Sequence, residues 1–225
     1  MSRLKVLILI ALFGVISFGY FSYAQAMPRN PMSIVHRNIA TTVFMAGSPA
    51  GIYDQGISNQ SSAWYADWAK HMGGIDDGQT LQLVRPGLDN LYYFALPCAD
   101  FDDTGLLLSN VEASPWAATK NQSAFKNRWI KIWNEQSFVY AQWEDVGPLY
   151  TDDCKTYVFG ADRPRQEKTR AVASALDLSP AAFKTLNQGI ADGVILTNWQ
   201  FVSAISVPDG PWRQNITTSD PDWSS

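Results

Sequence analysis

Apolar and polar side chains alternate most strictly between Arg128 and Trp143. Trp129, Lys131 and Trp133 fall on one side, with Ile130 and Ile132 on the other. Asn134 to Ser137 then has turn composition, and Phe138 to Trp143 alternates again. A period of two on both sides of a short polar turn predicts two antiparallel strands. Thr41 to Met45 and Leu91 to Leu96 have the β-branched and aromatic content of strands, the second stopped by Pro97. Thr197 to Val202 reads as the closing strand, after a Gly at 193. The helical period appears once in the first half, where Trp64, Trp68 and Met72 recur every four residues within Ser61–Met72. Gly73 and Gly74 end it, because Gly accepts the left-handed conformation at a helix C-terminus. At that spacing the aromatic stripe reads as core rather than as a sugar-stacking platform. A second helix starts at Ser179-Pro180, with Ser as cap and Pro at the first helical position. Long segments without periodicity separate these elements: 47–59, 149–175 and 208–225. Short strands, few helices and long connections predict a mainly β fold built on a barrel with insertions.

The first 26 residues have the make-up of an export signal. Arg3 and Lys5 precede an apolar run from Val6 to Phe21, and Ala24, Gln25 and Ala26 offer small residues at the cleavage spacing. The run is short of the roughly 20 residues a spanning helix needs. The expectation is a periplasmic or secreted protein with no stable membrane insertion after cleavage, the alternative being a retained N-terminal anchor. Loss of Arg3 and Lys5 takes the formal charge from −4 to −6. That balance argues against a nucleic-acid partner, which requires clustered Lys and Arg. Cys98 and Cys154 are the only cysteines. An exported chain admits their pairing, the alternative being two separate buried thiols. His36 and His71 do not sit in zinc-ligand spacing with them, so no metal site is expected.

Two blocks in the C-terminal half carry the candidate chemistry. Tyr140-Ala-Gln-Trp-Glu-Asp-Val-Gly-Pro148 reads as a strand running into a Gly-Pro turn, and Leu176-Asp-Leu-Ser-Pro180 leads into the second helix. Together with Gly193 and Thr197–Val202, they resemble the double-psi β-barrel of the rare-lipoprotein-A-like proteins, which is shared by barwin-like and expansin-like proteins. The whole chain also looks like a group of exported bacterial proteins to which no activity is attached. The resemblance implies a six-stranded double-psi β-barrel over 41–207, preceded by an arm at 27–40 and followed by a tail at 208–225. It also implies an envelope protein that binds, and in some relatives cleaves, a polysaccharide such as peptidoglycan. By the same likeness Asp177 is the candidate general acid and Asp145 its partner. The pattern departs in places: 28 residues separate Pro148 from Asp177, Glu144 stands where Asn is common, and Val146 replaces Arg.

Glycoside cleavage needs one group to protonate the leaving oxygen and another to stabilise or attack on the opposite side. Two carboxylates on separate elements meet that minimum. Glu144 is an alternative partner for Asp177. Trp143 is a candidate floor for a groove, and Trp116 and Trp212, each beside a Pro, are candidates for exposed rings. Asp100, Asp102 and Asp103 read as a solvated acidic turn, since the spacing of a calcium loop is missing. No phosphate loop, dinucleotide fingerprint or nucleophile elbow occurs, so no cofactor is expected. Three readings stay open: both Asp residues ordering local turns, a glycan site without turnover, and catalysis. The rival class is a non-catalytic envelope or secreted interaction protein that uses the barrel as scaffold and 149–175 for contacts.

Overall fold

A computed structural model describes residues 30–50, 58–78, 89–165, 174–187 and 193–223. The export-signal segment lies outside the described residues. Six strands close into a barrel: β1 (His36–Val43), β2 (Tyr93–Leu96), β3 (Trp129–Trp133), β4 (Phe138–Val146), β5 (Leu176–Leu178) and β6 (Val194–Val202). Their order around the barrel is β1-β5-β2-β4-β3-β6, with β6 returning to β1. The β1/β5 and β2/β4 pairs are parallel and the other four antiparallel. The β3–β4 hairpin forms as its alternation predicts, with Trp133 opposite Phe138. Asn134 closes its turn by accepting the N–H groups of Gln136 and Ser137.

Alternation divides the barrel into an inner and an outer face. Phe94, Leu96, Ile130, Ile132, Val139, Ala141, Trp143, Leu176, Leu178, Trp199 and Phe201 fill the inner core. Trp143 lies flat on Phe125 with ring centroids 5.0 Å apart, which accounts for its complete burial. The outer face of β2, carrying Tyr93 and Ala95, packs with Phe44, Trp68 and Met72 in a second cluster. Trp68 and Met72 come from helix α1 (Trp68–Met72), which is shorter than the Ser61–Met72 periodicity predicts. Asp67 accepts the Lys70 N–H and starts the helix there, and Gly73, at φ 76°, ends it. Trp64 sits before the helix but is just as buried, so the stripe is core, as its spacing implies. Helix α2 (Pro180–Asn187) starts as expected, with the Ser179 Oγ accepting the Ala182 N–H.

Long-range contacts change four readings. β1 begins at His36 and β6 at Val194, because their antiparallel pairing extends both beyond their β-rich segments. The described part of the C-terminal segment, 208–223, packs closely although it lacks periodicity. Trp212 is buried rather than exposed, and Thr217 exchanges hydrogen bonds with the buried Gln142 side chain. Asp100 is fully buried and accepts from Trp64 Nε1, the Ser123 hydroxyl and the N–H groups of Ala124 and Phe125. It is therefore a structural anchor, whereas Asp102 and Asp103 remain at the surface of the same turn. Cys98 and Cys154 form a disulfide that ties the end of β2 to a π-helical turn at Cys154–Val158.

Two stability predictions follow from this core. The disulfide closes a loop with a sequence separation of 56. Chain entropy alone sets its contribution at about 4 kcal/mol. Urea denaturation of the Cys98→Ala/Cys154→Ala double variant should lose about that much. His36, stacked on Trp199 at 3.8 Å and edge-on to Tyr157 at 5.1 Å, has its imidazole pushed down to about 3 by burial, against a backbone hydrogen bond at Val158. An unfolded His takes its proton near 6.5, so this group costs stability as pH falls from 6.5 towards 3, about 1.4 kcal/mol per unit. His36→Phe keeps a stacking ring and should reduce the loss between pH 7 and pH 4.5 by roughly 2 kcal/mol, measured by urea denaturation.

Candidate functional site

The two sequence-selected Asp residues meet on the outer face of the barrel. Asp177 lies in the middle of β5, between the inward-facing Leu176 and Leu178. Its register partners are Thr42 on β1 and Ala95 on β2. Ala95 is in turn opposite Asp145 on β4. One row across four strands therefore reads Thr42, Asp177, Ala95, Asp145. Two strand spacings put the Asp Cα atoms roughly 10 Å apart, with only the Ala95 methyl between their side chains. A bulge selects which carboxylate of β4 joins the row. Trp143 pairs with Phe94 and Asp145 with Ala95, leaving Glu144 as the extra residue.

This row forms part of a cavity of about 910 Å³. Thr42, Ala95, Asp145, Ser174 and Asp177 line it from the barrel side, and residues of the segments 58–66, 99–108 and 146–151 flank it with Trp223, leaving it partly open to solvent. Asp145 is half-buried, and its Oδ1 accepts the Val146 N–H at 2.7 Å and the Ala63 N–H at 2.9 Å. Burial pushes its carboxyl up to about 7, the two N–H donors oppose this, and the Asp177 charge adds to it. Desolvation disfavours the ionised form, so Asp145 holds a proton close to neutral pH. The Asp177 Oδ1 accepts hydroxyl hydrogen bonds from Thr42 and from Ser174, the latter at 2.8 Å. The cap of α2 belongs to Ser179. Asp177 is thus two residues upstream of the helix cap and holds its place through side chains of β1 and the 174 turn.

The other sequence candidates fall elsewhere. Trp143 faces the inner core and offers no ring to the cavity. Glu144 is fully buried on the outer side of β4, where Lys126 Nζ approaches its Oε2 at 3.0 Å. Burial pushes that carboxyl up to about 7 against the pull of Lys126. Neither residue lines the cavity. Trp116 is half-buried beneath the Arg128 guanidinium and against Phe159 and Phe201. Among the described residues no group of His, Cys, Asp and Glu is arranged to hold a metal ion, and no helix is long and apolar enough to cross a membrane.

Pattern reasoning missed Thr42, Ser174 and Trp223. The first two have no signal beyond being hydroxyls near a strand. Trp223 does have one, an aromatic in an otherwise polar end segment. Its Nε1 donates to the Ala63 carbonyl at 2.9 Å, and its ring packs on Phe101 at 4.9 Å. Gly105, at φ 77°, passes so close beneath this ring that a Cβ there would stand 3.3 Å from it.

No family model matches the chain, and no curated protein matches it. Among solved structures it is similar to the Streptomyces papain inhibitor (SPI), at 14% identity over 77% of this chain and 98% of that one, with a TM-score of 0.35. A likeness that distant carries no argument.

The site's electrostatics are directly testable. Between pH 4 and pH 7 folded Asp145 keeps a proton that the unfolded chain releases, so its stabilising share is lost as pH rises through that window. Asp145→Asn retains the acceptor oxygen for both N–H groups and lacks the titration. The variant should gain roughly 2 kcal/mol relative to wild type at pH 8 compared with pH 5, in urea denaturation at both pH values.

Proposed function

We propose that the chain is an exported cell-envelope protein whose cavity binds a polysaccharide such as peptidoglycan and places a glycosidic bond between Asp145 and Asp177. The convergence of these two carboxylates over Ala95, in one cavity of about 910 Å³, carries the reading. The closed barrel, with its parallel β1/β5 and β2/β4 pairs, supports the double-psi resemblance.

The division of labour differs from the one the resemblance implies. Asp145 is the carboxyl raised into the neutral range, which is what a group donating a proton to a leaving glycosidic oxygen needs. Asp177 is the second carboxylate, fixed by the Thr42 and Ser174 hydroxyls. In a hydrolase it takes the proton of an attacking water. In a lytic transglycosylase it orients the sugar whose own hydroxyl attacks. Either course splits the bond by acid–base work alone, with no cofactor. A glycan-loosening protein without turnover would use the same cavity.

Digestion of purified cell-wall glycan by the mature protein, with products read by mass spectrometry, tests this. Wild type is expected to release fragments, and both Asp145→Asn and Asp177→Asn should reduce release at least a hundredfold. Anhydro-sugar ends indicate transglycosylation, and reducing ends indicate hydrolysis. Glycan retained in a pull-down without products reduces the claim to binding. Neither release nor retention leaves the non-catalytic scaffold.

A further inference from the structure

The charge of the cavity wall bears on which sugar it accepts. Among its described lining residues four carboxyl groups come from three segments: Asp145 on β4, which is held close to neutral, Asp177 on β5, and Asp102 and Asp103 on the 99–108 loop. Among its described lining residues there is no Lys, Arg or His. Basic side chains near the barrel are engaged elsewhere: Lys126 with Glu144, Arg128 over Trp116, and Arg165 with Asp152 and the Tyr150 ring. The Asp102 Oδ1 accepts the N–H groups of Thr104 and Leu106 and the Thr104 hydroxyl, and these donors, the Leu106 N–H foremost, hold its carboxyl below the ordinary range. That rim position is therefore ionised at any physiological pH.

The same wall contains an aromatic ring held in one orientation. Trp223 is fixed by its hydrogen bond to Ala63, by Phe101 and by the close approach of Gly105. Such a ring suits the apolar face of a sugar and attracts a cation through its π-system. A carboxylated sugar meets repulsion at the charged positions described for this wall, and a neutral one gains no attraction from them. A protonated amine is attracted by the carboxylates and by the ring alike.

Resting on the glycan reading above, we infer that the preferred ligand is an amine-bearing polysaccharide: a strand with free, protonated glucosamine units, chosen over its N-acetylated and carboxylated counterparts. The cavity and its aromatic wall make the site, and the carboxylates of Asp177, Asp102 and Asp103, rather than the protonated Asp145, set the charge of what enters it.

Calorimetric titration of the mature protein at pH 5.5 and low salt, with tetramers of glucosamine, N-acetylglucosamine and galacturonic acid, tests the inference. The glucosamine tetramer should bind at least tenfold more tightly than the N-acetylated one, and the galacturonic tetramer should not bind. Asp102→Asn/Asp103→Asn should bring the first two to within about threefold by weakening only the amine ligand, and 0.5 M salt should do the same. Trp223→Ala should weaken both. Glu135→Gln, at an exposed position in the β3–β4 turn remote from these lining residues, should change neither. Equal or tighter binding of the N-acetylated tetramer overturns the inference and leaves the glycan reading standing, as does tightest binding of the galacturonic tetramer. A preference reduced equally by Glu135→Gln and by the Asp102/Asp103 variant also overturns it, since it then reflects net charge alone. Binding of none of the three overturns the glycan reading and the inference with it.

Discussion

Strand β2 is the constraint from which the site follows. It is only four residues long, Tyr93–Leu96, yet it receives β5 on one edge and β4 on the other. β5 is shorter still and has β1 along its second edge. Neither strand has enough backbone pairing to persist alone, so both depend on closure of the barrel around them. Closure brings Asp177 and Asp145, 32 positions apart in the chain, to the two sides of Ala95. The residue between them has to be small. A longer side chain at Ala95 would fill the space over which the carboxyls converge.

The outer layer converts this row into one wall of a partly open cavity. Asp100 holds Trp64 and the 123–125 turn together through four donors, which sets the loop continuing to Asp102 and Gly105. On the neighbouring outer surface of β4, Gln142 and Lys126 bind the C-terminal segment at Thr217 and at the Ser219 carbonyl. The buried pairing of Lys126 with Glu144 therefore serves the placement of Trp223 at a distance. A buried ion pair is weak evidence for stability, because desolvation offsets its attraction. Its clearer consequence here is geometric: it gives the segment one seat, with Tyr65 Oη hydrogen-bonded to Ser219 Oγ in the same place.

The site's character comes from the mismatch between its polar groups and its enclosure. Asp145 is kept close to neutral by lost hydration, while Asp102, at the rim, stays charged because three donors stabilise its ionised form. Residues of one type thus serve different purposes a few strands apart. In the proposed function, proton transfer falls to Asp145 and selection by charge to the carboxylates at the rim.

Local pattern determined a good deal. Period-two alternation was enough for the β3–β4 hairpin, Ser179-Pro180 for the start of α2, Gly73 for the end of α1, and the two motif blocks for Asp145 and Asp177 as candidates. These depend on neighbours within one turn or one strand pair, which is the range over which sequence spacing reports geometry. Tertiary structure decided the rest. β5 has three residues and no period of its own, so only its seat between β1 and β2 makes it a strand. Trp143 and Glu144 looked available because alternation cannot tell an open face from one covered by another segment. The bulge at Glu144, which hands the site position to Asp145, exists only in the pairing with β2. Trp223 became part of the wall, and the 208–223 segment joined the packed structure, through hydrogen bonds to residues more than 70 positions away. Contacts of that span leave no periodic trace in a sequence, because burial is a property of the closed barrel and its cover rather than of any one segment.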